Sequence, residues 1–348
     1  MKAFFRQMPA CAAALALSMA IAGPALGEDF CVNSASALNA AMDIAESNGE
    51  DDRIRLVSTT FASSPPFSFV SSEPHAITFV GGYAPGCLFV SGGETKIDGQ
   101  FQRRGLFVLN VDGDVAVESI SFIRGLSTNN RGGGLYAESE TGDVRVDRNK
   151  FYANRADDMA GAAKIATNSG TLLVRGNLAF ANSAANIGAF QLSQVVGTAY
   201  VVGNTITQNQ SEGDFLPGGL AVTGSAHFEI TNNIIWGNLP EEPGPTQGDF
   251  FSSTSHDVVA NDIGVFCSQG TLPDEYIGNV SADPQFVDCG TFCASFELER
   301  NSPLVDLGEN FPPGGITGLD LAGKPRLIGG IVDLGAFEND VIFEDAFE

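Results

Sequence analysis

VRVDRNKFYAN (Val144–Asn154), LLVRGNLAFAN (Leu172–Asn182), AYVVGNTITQN (Ala199–Asn209) and FEITNNIIWGN (Phe228–Asn238) are four versions of one phrase. Each carries a pair of asparagines: Asn149 and Asn154, Asn177 and Asn182, Asn204 and Asn209, Asn233 and Asn238. Successive pairs are offset by 28, 27 and 29 residues. That period suits one full turn of a stacked β-solenoid and is too short for an independent domain. Apolar residues keep fixed places around the pair. Val144, Leu172, Ala199 and Phe228 form one column, Val146, Val174, Val201 and Ile230 a second, and Phe151, Ala179, Ile206 and Ile235 a third. Between the first two columns stand the variable Arg145, Leu173, Tyr200 and Glu229, so the chain alternates inward and outward as a strand does.

An earlier coil fits the same frame through Val115, Val117 and Phe122, with Ile120 and Gly125 where asparagines would stand. A second strand opens each coil after a small residue, at Gly134, Ala162, Gly188 and Gly219. Its inward columns are Leu135, Ala163, Phe190 and Leu220, then Ala137, Ile165, Leu192 and Val222. Asparagine suits the corners because it tolerates left-handed backbone and because its amide can bond to the amide of the next coil, about 4.8 Å away. The eight asparagines are therefore expected to be a structural ladder rather than a catalytic set.

A solenoid needs its open end covered. From Asn33 to Asn48 the sequence is helical, with Ser34 or Ser36 as cap and Leu38, Ala41, Met42 and Ala45 at helix spacing. This helix is the expected N-terminal cap, with Asp52 to Leu56 beginning the first strand. Residues 28–56 thus form cap and first strand, 57–300 the coils, 301–338 a closing motif and 339–348 a tail. LPEEPGPT (Leu239–Thr246) interrupts the pattern as a loop.

Residues 1–27 have the form of a signal peptide: basic Lys2 and Arg6, an apolar Ala10–Ala22, and Ala25-Leu26-Gly27 before Glu28. Export to the cell surface or beyond is expected, with no transmembrane segment in the mature chain. The formal charge is −24, and removal of Lys2 and Arg6 makes it −26. Such a chain repels nucleic acid. The charge is unevenly spread, since Lys96 to Arg175 holds 11 Lys+Arg against 10 Asp+Glu, whereas Gly176 to Glu299 holds 14 Asp+Glu and no Lys or Arg. The acidic half is either a solvated surface or a weak divalent-cation site of the Ca²⁺ type; no other cofactor and no dedicated metal site is expected. Once Cys11 leaves with the leader, Cys31 is expected to pair with Cys87, and Cys267 with Cys289 or Cys293.

NVSADPQFVD (Asn279–Asp288), SPLVDLG (Ser302–Gly308), DLAGKPR (Asp320–Arg326) and VDLGAFE (Val332–Glu338), with DDRIRL, VGGYAPGC and GGGLYA nearer the start, carry a resemblance. The chain resembles secreted bacterial right-handed parallel β-helix proteins of pectin-lyase-like fold that end in a choice-of-anchor Q region. The resemblance implies an all-β, single-stranded right-handed parallel β-helix, export and surface residence, and brings no agreed reaction. Physically, Asp306, Asp320, Arg326, Asp333 and Glu338 look like a network in which one guanidinium meets carboxylates to close the solenoid end. The tail DVIFEDAFE resembles endings of other exported bacterial proteins.

Two functional classes follow. A structural, adhesive or polysaccharide-binding module that touches a polysaccharide or envelope component would use the outward Tyr136, Lys164 and Gln191 beside Arg145, Asp147 and Tyr200. A polysaccharide lyase or glycoside hydrolase would need converging groups: Asp157, Asp158 and Lys164, with Glu212 and Asp214 two coils on, or Lys164 and Arg175 as base with Asp147 and Asp157 holding Ca²⁺. Two interstrand spacings separate the hydrolase carboxylates by roughly 10 Å, at the edge of inverting geometry. The binding module is the preferred expectation.

Overall fold

A computed structural model describes residues 27–339 apart from 63–64, 129–130, 214–215, 241–247, 267–269 and 288–294. Residues 1–26 of the leader, 340–348 of the tail, Asp214 and the cysteines 267, 289 and 293 lie outside the described residues. The chain is a right-handed parallel β-helix of about eight turns. Each central coil visits four sheets in order, as in Leu135–Ser139, Val144–Asp147, Lys150–Tyr152 and Arg155–Ala156. Stacking these strands builds sheets of seven, ten, eight and five strands, and every strand-to-strand pairing in them is parallel and joins successive coils.

The aligned columns are coils in register. Val146 pairs with Val174, Val174 with Val201 and Val201 with Ile230. Phe151, Ala179, Ile206 and Ile235 stack in the same way, all with no exposed surface. Small residues make room for large ones: Ala179 follows Phe151, whose ring stacks on Phe122 at 5.1 Å and meets Phe190 edge-on at 5.3 Å. One position shifts by a residue, since the Ala162 amide donates to Ala189, not Gly188, as the step before the Phe190 strand.

Both asparagine ladders form, and they run further than the four repeats show. Asn149, Asn177, Asn204 and Asn233 continue into Asn261 and Asn279, each backbone N–H donating to the next Oδ1 at 2.8–2.9 Å. Asn154, Asn182, Asn209 and Asn238 end on Asp249, whose carboxylate accepts the Asn238 amide at 2.7 Å. Each Nδ2 also reaches back, as when Asn182 donates to the Phe151 carbonyl at 2.9 Å. The left-handed turn falls on the residue before each asparagine, not on the asparagine. Arg148, Ala153, Ala181 and Gln208 have φ of 52, 55, 53 and 56°. The asparagine is thereby free to spend its side chain on the neighbouring coil.

At the N-terminal end the helix is Ala35–Ala45, with Ser34 accepting from the Ala37 N–H and Leu38, Ala41, Met42 and Ala45 buried. Glu46 just after it accepts the Val70 N–H at 2.8 Å, answering a donor on the edge strand Phe67–Ser71. The first strand is Asp29–Val32 rather than Asp52–Leu56; it pairs beside Arg53–Leu56 and carries Cys31, which is bonded to Cys87.

The other end is placed differently from expectation. The last coil strand is Glu275–Ile277, after which the chain returns along the flank of the solenoid instead of closing its end. Glu309 and Gly335 bond to Asn232, Ala336 to Thr205, and Arg175 to the Gly314 carbonyl. Phe296 and Phe337 pack on Leu178 and Phe180 of the eight-stranded sheet. This strap is held by the expected network. Arg326, 3% exposed, donates to Glu338 and to the Asp333 and Gly335 carbonyls, while Asp320 and Asp333 accept backbone N–H groups. Asp306 enters through its N–H, not its carboxylate.

Asn182→Leu removes the acceptor for the Asn154 N–H and the donor to Phe151, leaving buried polar groups that cost about 1–3 kcal/mol each. Ala153→Gly relieves a left-handed alanine at a cost of about 1–2 kcal/mol. Thermal unfolding of the purified variants is expected to show the first melting well below, and the second above, the unaltered protein.

Candidate functional site

Strict stacking decides which outward side chains can meet. Tyr136, Lys164 and Gln191 occupy one column on three successive coils of the seven-stranded sheet. Phe107 precedes them, its ring stacked on Tyr136 at 4.8 Å, and the Arg104 guanidinium lies over both rings at 5.3 and 5.5 Å. The Tyr136 hydroxyl donates to Glu138. Tyr200 is elsewhere, on the ten-stranded sheet in the column of Arg145, Leu173 and Glu229, where the strap backbone at Gly314 lies against it. The structure brings three of the four proposed contact residues together and separates the fourth.

That column is covered more deeply than a sugar-binding face would be. Lys164 and Gln191 are each 6% exposed. Burial pulls the Lys164 ammonium down to about 8, with Arg131 adding repulsion and Glu138 opposing it. Burial, followed by the bond to Glu138, pushes the Tyr136 phenol up.

Among the described residues, two of the carboxylates proposed for hydrolysis have separate arginine partners. Asp158 pairs with Arg131 at 3.5 Å, and Glu212 pairs with Arg155 at 3.1 Å. Asp157 is exposed beside this corner. The lyase alternative loses its other base and calcium ligand to each other, because Arg175 grips Asp147 with two bonds of 3.1 and 2.7 Å.

The larger opening lies where strap and solenoid meet. Between the outer face of the eight-stranded sheet and the strap run two cavities of about 360 and 740 Å³ that share Glu94, Lys150, Leu321 and Ala322 as lining. Tyr152 and Phe180 line the larger one, their rings stacked along the solenoid at 5.3 Å so that edges face the groove. Glu94 sits at the junction, with Lys96 at 3.0 Å, Lys150 at 3.9 Å and the Ser121 hydroxyl at 2.6 Å. Burial works to raise its carboxyl, but the Ser121 hydroxyl and the two lysines outweigh this and hold it below the usual range. Arg148 adds a further positive charge to the wall. The groove was not legible in sequence, because residues 94, 150 and 321 come from three separate segments. Local charge gave no signal either, since Lys96–Arg175 holds 11 Lys+Arg against 10 Asp+Glu.

Residues 95–263 match the family model for a right-handed beta helix region. No curated protein and no solved structure matches the chain.

Lys164 keeps its proton less readily when folded, so between about 8 and its ordinary 10.5 the unfolded chain binds more protons and stability rises with pH. Lys164→Met is expected to raise the melting temperature at pH 7 and to lose that advantage toward pH 10.5. A pH-independent difference would contradict the desolvated ammonium.

Proposed function

We propose that this chain is an exported, non-catalytic polysaccharide-binding module that holds an extended polymer in the groove between the eight-stranded sheet and the strap. The observation that carries the proposal is the open, two-part groove lined by Glu94, Lys150, Tyr152 and the strap backbone, which combines hydrogen-bonding groups with aromatic edges. Sugar hydroxyls need donors and acceptors side by side, and Glu94 between two lysines supplies both. Arg148 and Lys150 line the groove against Glu94, Asp320 and Glu297, a mixed charge that favours hydroxyl recognition over selection of a polymer by its charge. The basic, apolar and small-residue pattern of residues 1–27 supports export, and an envelope polysaccharide is the partner that such an address makes accessible. Among the described residues no helix is long and apolar enough to cross a membrane.

The alternative, a polysaccharide lyase or glycoside hydrolase, has one observation in its favour: the lowered Lys164 ammonium, a property of general bases. At 6% exposure, however, Lys164 offers a polymer almost no surface to meet.

Affinity electrophoresis of the purified protein through gels containing uronate or neutral polysaccharides tests the proposal. Retardation is expected in at least one of these gels, and about tenfold weaker in Lys150→Ala. No retardation by any polymer, or release of unsaturated or reducing ends during incubation, would overturn it.

A further inference from the structure

A second feature lies on a different face, at the acidic end of the rod. Strand His227–Thr231 of the ten-stranded sheet presents His227 and Glu229 outward, and Glu229 pairs across to Asp257 on the next coil, which pairs in turn with Glu275. Three carboxylates therefore stack at about 4.8 Å intervals, a like-charge ladder that is destabilising by itself. The sequence supplies no Lys or Arg between Gly176 and Glu299 to neutralise it.

The hydrogen bonds around His227 identify the atom that faces this ladder. The Ser255 hydroxyl donates its one proton to Asp274, which as a carboxylate can only accept. Ser255 must then accept from His227 Nδ1, 2.7 Å away, so Nδ1 carries the ring proton. In the neutral imidazole this leaves the lone pair of Nε2 directed at Asp257 Oδ2, 3.1 Å away, and Glu229 Oε1, 3.8 Å away. A lone pair facing two carboxylates is repulsive until a proton or a metal ion stands between them. Asp257 Oδ1 is also buried without a hydrogen-bond partner.

We propose that His227 Nε2, Glu229 and Asp257 form a binding site for a divalent transition-metal ion of the zinc type. One ligand atom from each lies within 4.8 Å of the others, compared with about 3.4 Å between ligands around a tetrahedral zinc with bonds near 2.0–2.1 Å. Small rotations of two carboxylates close that gap. An imidazole with two carboxylates selects zinc-like ions over Ca²⁺, which prefers an all-oxygen shell of six to eight ligands. The relay from Nδ1 through Ser255 to Asp274 orients the ring as outer partners of metal-bound histidines do. Three protein ligands leave a coordination position open to water or to a group on a partner. The site is independent of the polysaccharide groove.

The test is calorimetric titration of the chelator-stripped, purified protein with zinc chloride, with calcium chloride as competitor. One zinc per chain is expected, with His227→Ala and Asp257→Asn each weakening it at least about tenfold. Melting temperatures provide a second readout. With chelator, Asp257→Asn should melt above the unaltered protein because one stacked charge is gone, and with saturating zinc the order should reverse. Zinc uptake unaffected by His227→Ala, equal displacement by calcium, or an unreversed melting order would each overturn the proposal.

Discussion

The corner hydrogen bond made by an asparagine side chain is the constraint on which the rest depends. A parallel coil must turn sharply between sheets, and at each turn a backbone N–H and a carbonyl would be buried without a strand partner. Asn149, Asn154, Asn177, Asn182, Asn204, Asn209 and Asn233 are all at most 1% exposed, so water cannot answer those groups. Each amide accepts from one coil and donates back, which locks the spacing and register of its neighbour. Where the ladder ends, Asp249 supplies the final acceptor and binds the Val265 N–H with its other oxygen. The raised pKa of Asp249, caused first by burial, shows that replacing a neutral amide with a carboxylate has an electrostatic cost.

Register locked in this way forces outward residues of neighbouring coils together, whatever their charge. In the first half of the rod this yields cross-coil ion pairs: Arg124 with Asp98, Arg145 with Glu118, Arg175 with Asp147. In the second half the same geometry stacks Glu229, Asp257 and Glu275, with His227 beside them. One lattice thus produces a near-neutral surface at one end and a strongly acidic one at the other.

The strap follows a different logic. Its core is small and assembled around Arg326, whose guanidinium satisfies carbonyls of its own segment as well as Glu338. It docks through apolar contacts with Phe180, Ile234 and Trp236, which are outward positions on the eight-stranded sheet. Trp236 and Phe180 are outward and aromatic because the strap covers them. The groove is the part of that sheet that the strap leaves open.

Periodicity made the interior legible. A side chain that must lie over its counterpart every 27 to 29 residues leaves a record in one dimension, so the inward columns, the asparagine ladders, the capping helix and the Cys31–Cys87 bond could be read from the chain alone. The interrupted repeats hid Asn261, Asn279 and Asp249, and the preference of asparagine for left-handed backbone pointed one residue too far along the turn. The outer surface was less legible because nothing periodic selects it. Which outward residues meet depends on where the strap lies, and the strap runs along the flank because the aromatic positions that it buries face outward there. The groove at Glu94 and Lys150 and the cluster at His227 and Asp257 combine residues of distant segments or neighbouring coils whose proximity has no signature in local sequence. Sequence determined the coil, through hydrogen bonds that repeat; tertiary structure decided the sites, through contacts that occur once.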